Sequence, residues 1–218
     1  MKSFFYTTTL LTSVCALHYL PYNQIRPLFL KLYHTTHPNN VSLEHIVPQS
    51  LFKKKAPKMS RDMHNLMMYP NLLNSHRSNY RYSNELVLDD TTTILSQIGE
   101  KSLYPGPFNH IGVCLKSNKK RCYYPRPFYR GKIARACMYM AMTYPDFQNE
   151  IFNKVIDPYV LLTWHHEHPV SGFEIRKNQE ILNLQENENT YVSTPEMVLK
   201  DMEHYLGKRI AIYHDYQW

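Results

Sequence analysis

Two short apolar runs, each closed by a proline, bracket a basic loop and lead into a polar segment. This arrangement, over residues 44–82, constrains the 218-residue chain more than any other feature. The stretch reads EHIVPQSLFKKKAPKMSRDMHNLMMYPNLLNSHRSNYRY. Glu44 and His45 stand at the entrance of the first run, where Ile46 and Val47 suit a strand and Pro48 ends it. Residues 64–68 form a second run, stopped by Pro70. Residues 71–80 suit a short helix after the Pro70-Asn71 start. The order predicted is strand, loop, strand, helix. A hairpin followed by a helix brings His45 and Asn74 together although they are 29 positions apart.

Further motifs follow in order. Residues 124–135 read YPRPFYRGKIAR, and residues 174–192 read EIRKNQEILNLQENENTYV. With DMHNL at 62–66 and RSNYRY at 77–82, they resemble the endonuclease I family, over roughly residues 40–192. That family is a branch of the ββα-metal, or HNH-type, nucleases. The resemblance implies an α+β fold, a mixed helical domain with an embedded ββα-metal hairpin and helix. It implies a sequence-nonspecific endonuclease that leaves 5′-phosphate and 3′-hydroxyl ends. Glu44 and Asn74 are then the metal ligands, His45 the general base, and Asn65 the tie between the two strands.

Those roles suit the residue types. Neutral histidine accepts a proton near pH 7. Mg²⁺ keeps several waters and needs few protein oxygens, so one carboxylate and one amide suffice; Mn²⁺ or Ca²⁺ are alternatives. Asp62 and His64 either support the site or only brace the hairpin. Asn79 is a supporting or helix-end residue. Arg77 either holds a phosphate or pairs with Asp62. Arg130, Lys132 and Arg135 are expected at a helix N-terminus, where exposed amides favour a phosphate. Arg61 and the lysines at 53–55 and 58 either contact the nucleic-acid backbone or form a solvated charge run. The chain departs from the family pattern at Lys132, where relatives often carry an acid, and at Cys137, where aromatics are common. It lacks the leader cysteines and has Glu186 in place of a usual glycine, which predicts a changed local turn.

A net charge of +7 favours a polyanionic partner. That partner is expected to be DNA, with RNA not distinguished, bound through its backbone by a monomer. No run reaches the ~18 apolar residues of a membrane span. Residues 1–16 read as a signal peptide, which makes the protein secreted or periplasmic, or else as a buried first element. Residues 17–192 form the nuclease domain, with a helical apolar stripe over residues 19–33 packing on its core. Residues 193–218 form an extension with a capped helix, lined by Met197, Leu199, Met202 and Leu206, and a final strand. Cys114 and Cys122 either close a hairpin disulfide or stay free thiols. His165, His166 and His168 invite a zinc reading, although their spacing lacks a helical ligand face. Two other functions compete: a non-catalytic nucleic-acid-binding protein with the same fold, and a metal-binding module built on those histidines.

Overall fold

The computed structural model describes residues 19–84, 93–94, 110–113 and 121–207. Helix α1 (Tyr22–Leu32) precedes strand β1 (Val41–His45). β1 pairs antiparallel with β2 (Leu66–Pro70), with Glu44 opposite Met67 and His45 opposite Leu66. Helix α2 (Asn71–Arg77) follows without a break. The fold is α+β and mostly helical, with two small sheets.

The first strand lies upstream of the position expected from Ile46 and Val47. It begins at Val41 and ends at His45. The reason is Asn65, whose side-chain oxygen accepts from Val47 N (2.7 Å) and whose amide donates to Val47 O (3.1 Å). A side chain has taken the place of the strand ladder there. Pro70, expected to stop the second strand, is its last residue, and α2 ends at Arg77, short of Tyr80. The basic stretch forms short 3₁₀ turns at Gln49–Leu51 and Pro57–Ser60.

The second sheet has the order β3-β6-β5-β4. It joins β3 (Arg81–Tyr82), β4 (Thr93–Ile94), β5 (His110–Val113) and β6 (Arg121–Tyr124). The hairpin expected near residues 111–124 is the antiparallel β5–β6 pair. Cys122 is disulfide-bonded, so it is not a free thiol; Cys114, its partner in the disulfide alternative, lies outside the described residues, as do Cys15, residues 1–16 and the strand expected at 209–213.

The core gathers around α3 (Pro127–Thr143), in which every residue from Ile133 to Ala141 is buried. A helix apolar on all sides must be wrapped by others. Around it lie α4 (Gln148–Lys154), α5 (Pro158–Glu167), α6 (Gly172–Gln185), α7 (Thr190–Ser193) and α8 (Met197–Leu206). Gly131 lets α3 approach the end of α5, since a Cβ there would lie 2.8 Å from His168 Cβ and collide with the His168 carbonyl oxygen. α8 starts at Met197, two residues after Pro195, and buries Val198 and Met202 in this core while Leu199 is exposed. Glu186 caps α6 in the left-handed conformation (φ 63°), so the turn a glycine would make freely is made by a glutamate.

Candidate active site

Glu44, His45, Asn74 and Arg77 of the predicted set meet at the end of β1. Glu44 is 4% exposed, and its pKa is pushed up to about 7 by burial. Arg77 opposes that shift, its Nη1 lying 3.0 Å from Glu44 Oε1. The contact is an ion pair without hydrogen-bond geometry, so Oε1 is a buried oxygen with no hydrogen bond. Such an atom costs stability unless something else meets it.

Arg77 is 1% exposed and donates to the backbone carbonyls of His45 (3.2 Å), Ser78 (3.2 Å) and Ile46 (2.7 Å). Its guanidinium also lies over the Tyr82 ring at 4.5 Å. It therefore clamps the chain leaving β1. Neither expectation for it holds geometrically: it pairs with Glu44 rather than Asp62, and it is enclosed rather than open to a phosphate.

His45 is half-buried beside it. Its Nε2 lies 3.0 Å from Ser60 O and 2.9 Å from the Gln49 amide nitrogen. One tautomer cannot serve both contacts. A carbonyl only accepts, so the Ser60 contact assigns the proton to Nε2 and the lone pair to Nδ1, an assignment that requires the Gln49 amide to be turned over from the orientation shown. Tyr22 of α1 stacks on the imidazole, with centroids 5.8 Å apart and planes 7° from parallel. Burial lowers the His45 pKa to about 4, and Arg77 and Lys53 act in the same direction. The ring is neutral at pH 7, as a proton acceptor must be.

Asn74 reaches the same strand from α2. Its amide nitrogen donates to Ser42 Oγ (2.9 Å) and Leu43 O (3.3 Å). Both donors are turned to β1, and the amide oxygen makes no hydrogen bond among the described residues. Glu44 Oε1 and Asn74 Oδ1 are thus the unmatched oxygens of the site. Hard oxygen donors of this kind suit Mg²⁺, Mn²⁺ or Ca²⁺. Among the described residues no three His, Cys, Asp or Glu side chains converge as a metal cage. For the His165–His168 run, His165 Nδ1 faces the Arg135 guanidinium at 3.4 Å and His168 lies 3.8 Å from Glu167.

A second polar cluster holds the hairpin from behind. Asp62 is fully buried and accepts from His64 N (3.0 Å), Gln185 Nε2 (3.0 Å), Tyr139 OH (3.0 Å) and Tyr144 OH (2.8 Å). His64 is buried against the Tyr139 ring, and burial lowers its pKa to about 4. Lys177 of α6 donates to Leu66 O at 2.6 Å, pinning the residue opposite His45.

The remaining predicted residues scatter. Asn79 is exposed after α2 and bonds to no site residue. Arg135 lies mid-helix rather than at an N-terminus, buried and bidentate to Glu174 (2.8 and 2.9 Å), so it offers nothing to a phosphate. Arg130 donates to Pro125 O and lies over the Tyr124 ring at 4.3 Å. Lys53, Lys54, Lys55 and Lys58 are exposed, and Arg61 is half-buried beside Ser60; none has a carboxylate partner among the described residues. Tyr22, Gln49, Ser60 and Lys177 were not legible as site residues. Three of them act on His45 from separate segments, and Ser60 does so through a carbonyl that any residue would supply.

The endonuclease I family model matches residues 33–196. An extracellular deoxyribonuclease of Aeromonas hydrophila is 26% identical over 171 residues, covering 71% of this chain and 66% of the relative. A periplasmic deoxyribonuclease of the same organism is 28% identical over 142 residues, covering 62% of this chain and 48% of the relative. The chain spans between about half and two thirds of the length of these relatives.

Proposed function

This chain belongs to the endonuclease I family, and from that premise we propose that it is a divalent-metal-dependent, sequence-nonspecific endonuclease acting on DNA. The observation that carries the reading is the convergence at the end of β1. A buried carboxylate oxygen without a hydrogen bond, an unmatched amide oxygen and a neutral imidazole with one assigned lone pair meet there. β1, β2 and α2 are then the ββα-metal motif of the family.

His45 Nδ1 takes a proton from the water that attacks phosphorus. The bond from phosphorus to the 3′-oxygen breaks and that oxygen takes a proton from solvent water, leaving a 5′-phosphate and a 3′-hydroxyl. Ser60 O holds the imidazole tautomer, and Tyr22 covers one ring face. Glu44 and Asn74 are the residues that would hold the cation, which when bound supplies neutralisation of charge developing on the phosphate and the leaving oxygen. Asn65 and Arg77 keep the β1 exit in place. The lysines at 53–55 and 58, with Arg61, supply the backbone contacts, which carry affinity without sequence choice. Two observations support action outside the cell: the relatives are named extracellular and periplasmic, and Cys122 is in a disulfide.

The test is plasmid nicking at low salt by wild type and His45→Ala, each with Mg²⁺ and with chelator. Metal-dependent nicking that disappears in the variant is expected. Wild type that retains DNA without cutting it would instead establish a non-catalytic binding protein.

A further inference from the structure

A pocket of about 450 Å³ opens at the end of the hairpin away from His45. Tyr33, His37, Asn40, Phe128, Lys132 and Phe173 are among its walls, and none of them belongs to the proposed catalytic set. Phe128 is 69% exposed, an unusual placement for so large an apolar ring. Lys132 Nζ lies 3.4 Å from the Phe128 ring centroid and 5.3 Å from that of Phe173. It makes no hydrogen bond or ion pair among the described residues. The carboxylate that acts on it, Glu174, is already committed to Arg135 and to the cap of α6. Burial lowers the Lys132 pKa to about 8, a penalty that a bound anion would relieve.

The pocket therefore offers aromatic surface beside an ammonium that has no acceptor. A purely apolar ligand would leave the ammonium unanswered, and a simple inorganic anion would leave the rings unused. A nucleotide meets both, its base stacking on an aromatic face and its phosphate meeting the cation. The pocket also borders Asn40 and Val41, at the start of the strand that ends at His45. Five strand residues separate the two places by roughly 14 Å, so one nucleic-acid strand can reach both.

We infer that this pocket holds one nucleotide unit of an unpaired strand, its base against Phe128 and its phosphate on Lys132. The inference rests on the nucleic-acid reading above and deepens it: the enzyme would grip single-stranded segments beside the site of cleavage.

Calorimetric titration of the full chain in chelator tests this without turnover. The probes are 5′-thymidylate, thymidine, inorganic phosphate and a short oligothymidylate. Thymidylate is expected to bind about 10-fold or more tightly than either thymidine or phosphate alone. Oligothymidylate is expected to compete with it. Lys132→Met should weaken thymidylate about 10-fold. Phe128→Ala, at an exposed position that tolerates truncation, should weaken it about 5-fold or more. His45→Ala should leave it unchanged. Phosphate binding as tightly as thymidylate would overturn the inference, as would failure of the oligonucleotide to compete. So would affinity lost in His45→Ala and kept in Lys132→Met. Plasmid nicking separates the two readings. A protein that nicks DNA and ignores thymidylate loses only the pocket. One that binds thymidylate through Lys132 and never nicks loses only the hydrolysis.

Discussion

Asp62 and Glu44 are both buried carboxylates of the same hairpin, and their surroundings differ in kind. Asp62 meets two phenols, an amide and a backbone N–H, all at 2.8–3.0 Å. Glu44 has an arginine at 3.0 Å and an oxygen without a hydrogen bond. Burial is expensive for a charge in either place. At Asp62 the fold itself supplies every partner. At Glu44 it withholds one and holds the carboxyl near pKa 7. A saturated carboxylate is a brace, and an unsaturated one has an oxygen still to be matched. The same contrast separates the histidines: His64 is enclosed against Tyr139, and His45 keeps one nitrogen for use.

The largest effect expected belongs to the unsaturated region. His45→Ala should lower the cleavage rate about 10²–10⁴-fold with the melting temperature nearly unchanged, checked by steady-state nicking and by calorimetry. A parallel loss of rate and stability would erase the distinction. Asp62→Ala should do the reverse, orphaning several buried donors and costing about 3 kcal/mol or more of stability. Urea denaturation measures it, and activity per folded molecule should persist at low temperature.

The histidine contrast is sharpened by pH. His64 titrates at about 4 in the fold and near 6.5 when unfolded. Between those values the unfolded chain binds more protons. Its contribution is fully present above pH 6.5 and is lost as pH falls toward 4, by up to about 3 kcal/mol. Glu44 runs the other way, because its raised pKa favours the protonated fold between about 7 and 4.5. Denaturation curves across this range are therefore best taken on Glu44→Gln, and His64→Phe should make them shallower, the remaining slope belonging to His45 and His165, which burial shifts in the same direction. Replacing Lys53, Lys54, Lys55 and Lys58 by Gln should shallow the dependence of log DNA affinity on log salt, by up to about 0.9 per lost phosphate contact; an unchanged slope would make them a solvated charge run. The smallest effect is Glu186→Gly, which should stabilise by about 1 kcal/mol by releasing a left-handed glutamate.

Some of this was readable in the chain. The spacing of residues 44–82 anticipated a hairpin and helix, because local pattern and turn chemistry act over few residues; Asn65 as the tie at its base was implied only by the family resemblance. The strand bounds were not anticipated: Ile46 and Val47 looked like strand, and the strand runs from Val41 to His45. The outcome turned on Asn65, an amide distant in sequence that captured both polar groups of Val47. The arginines misled for a similar reason. Positive charge in a motif marks importance, and it does not say whether a partner is waiting. Arg77 found Glu44, and Arg135 found Glu174 across a helix pair.

What the sequence determined by itself is therefore the family, the order of elements and the residue types able to do the chemistry, all carried by short-range pattern. Only the tertiary structure decided which of those groups are spent and which are free. Tyr22 covers His45, Ser60 assigns its proton, and one oxygen of Glu44 is left without a hydrogen bond. Those outcomes depend on which polar atoms burial forces together, and burial is a property of the packed chain.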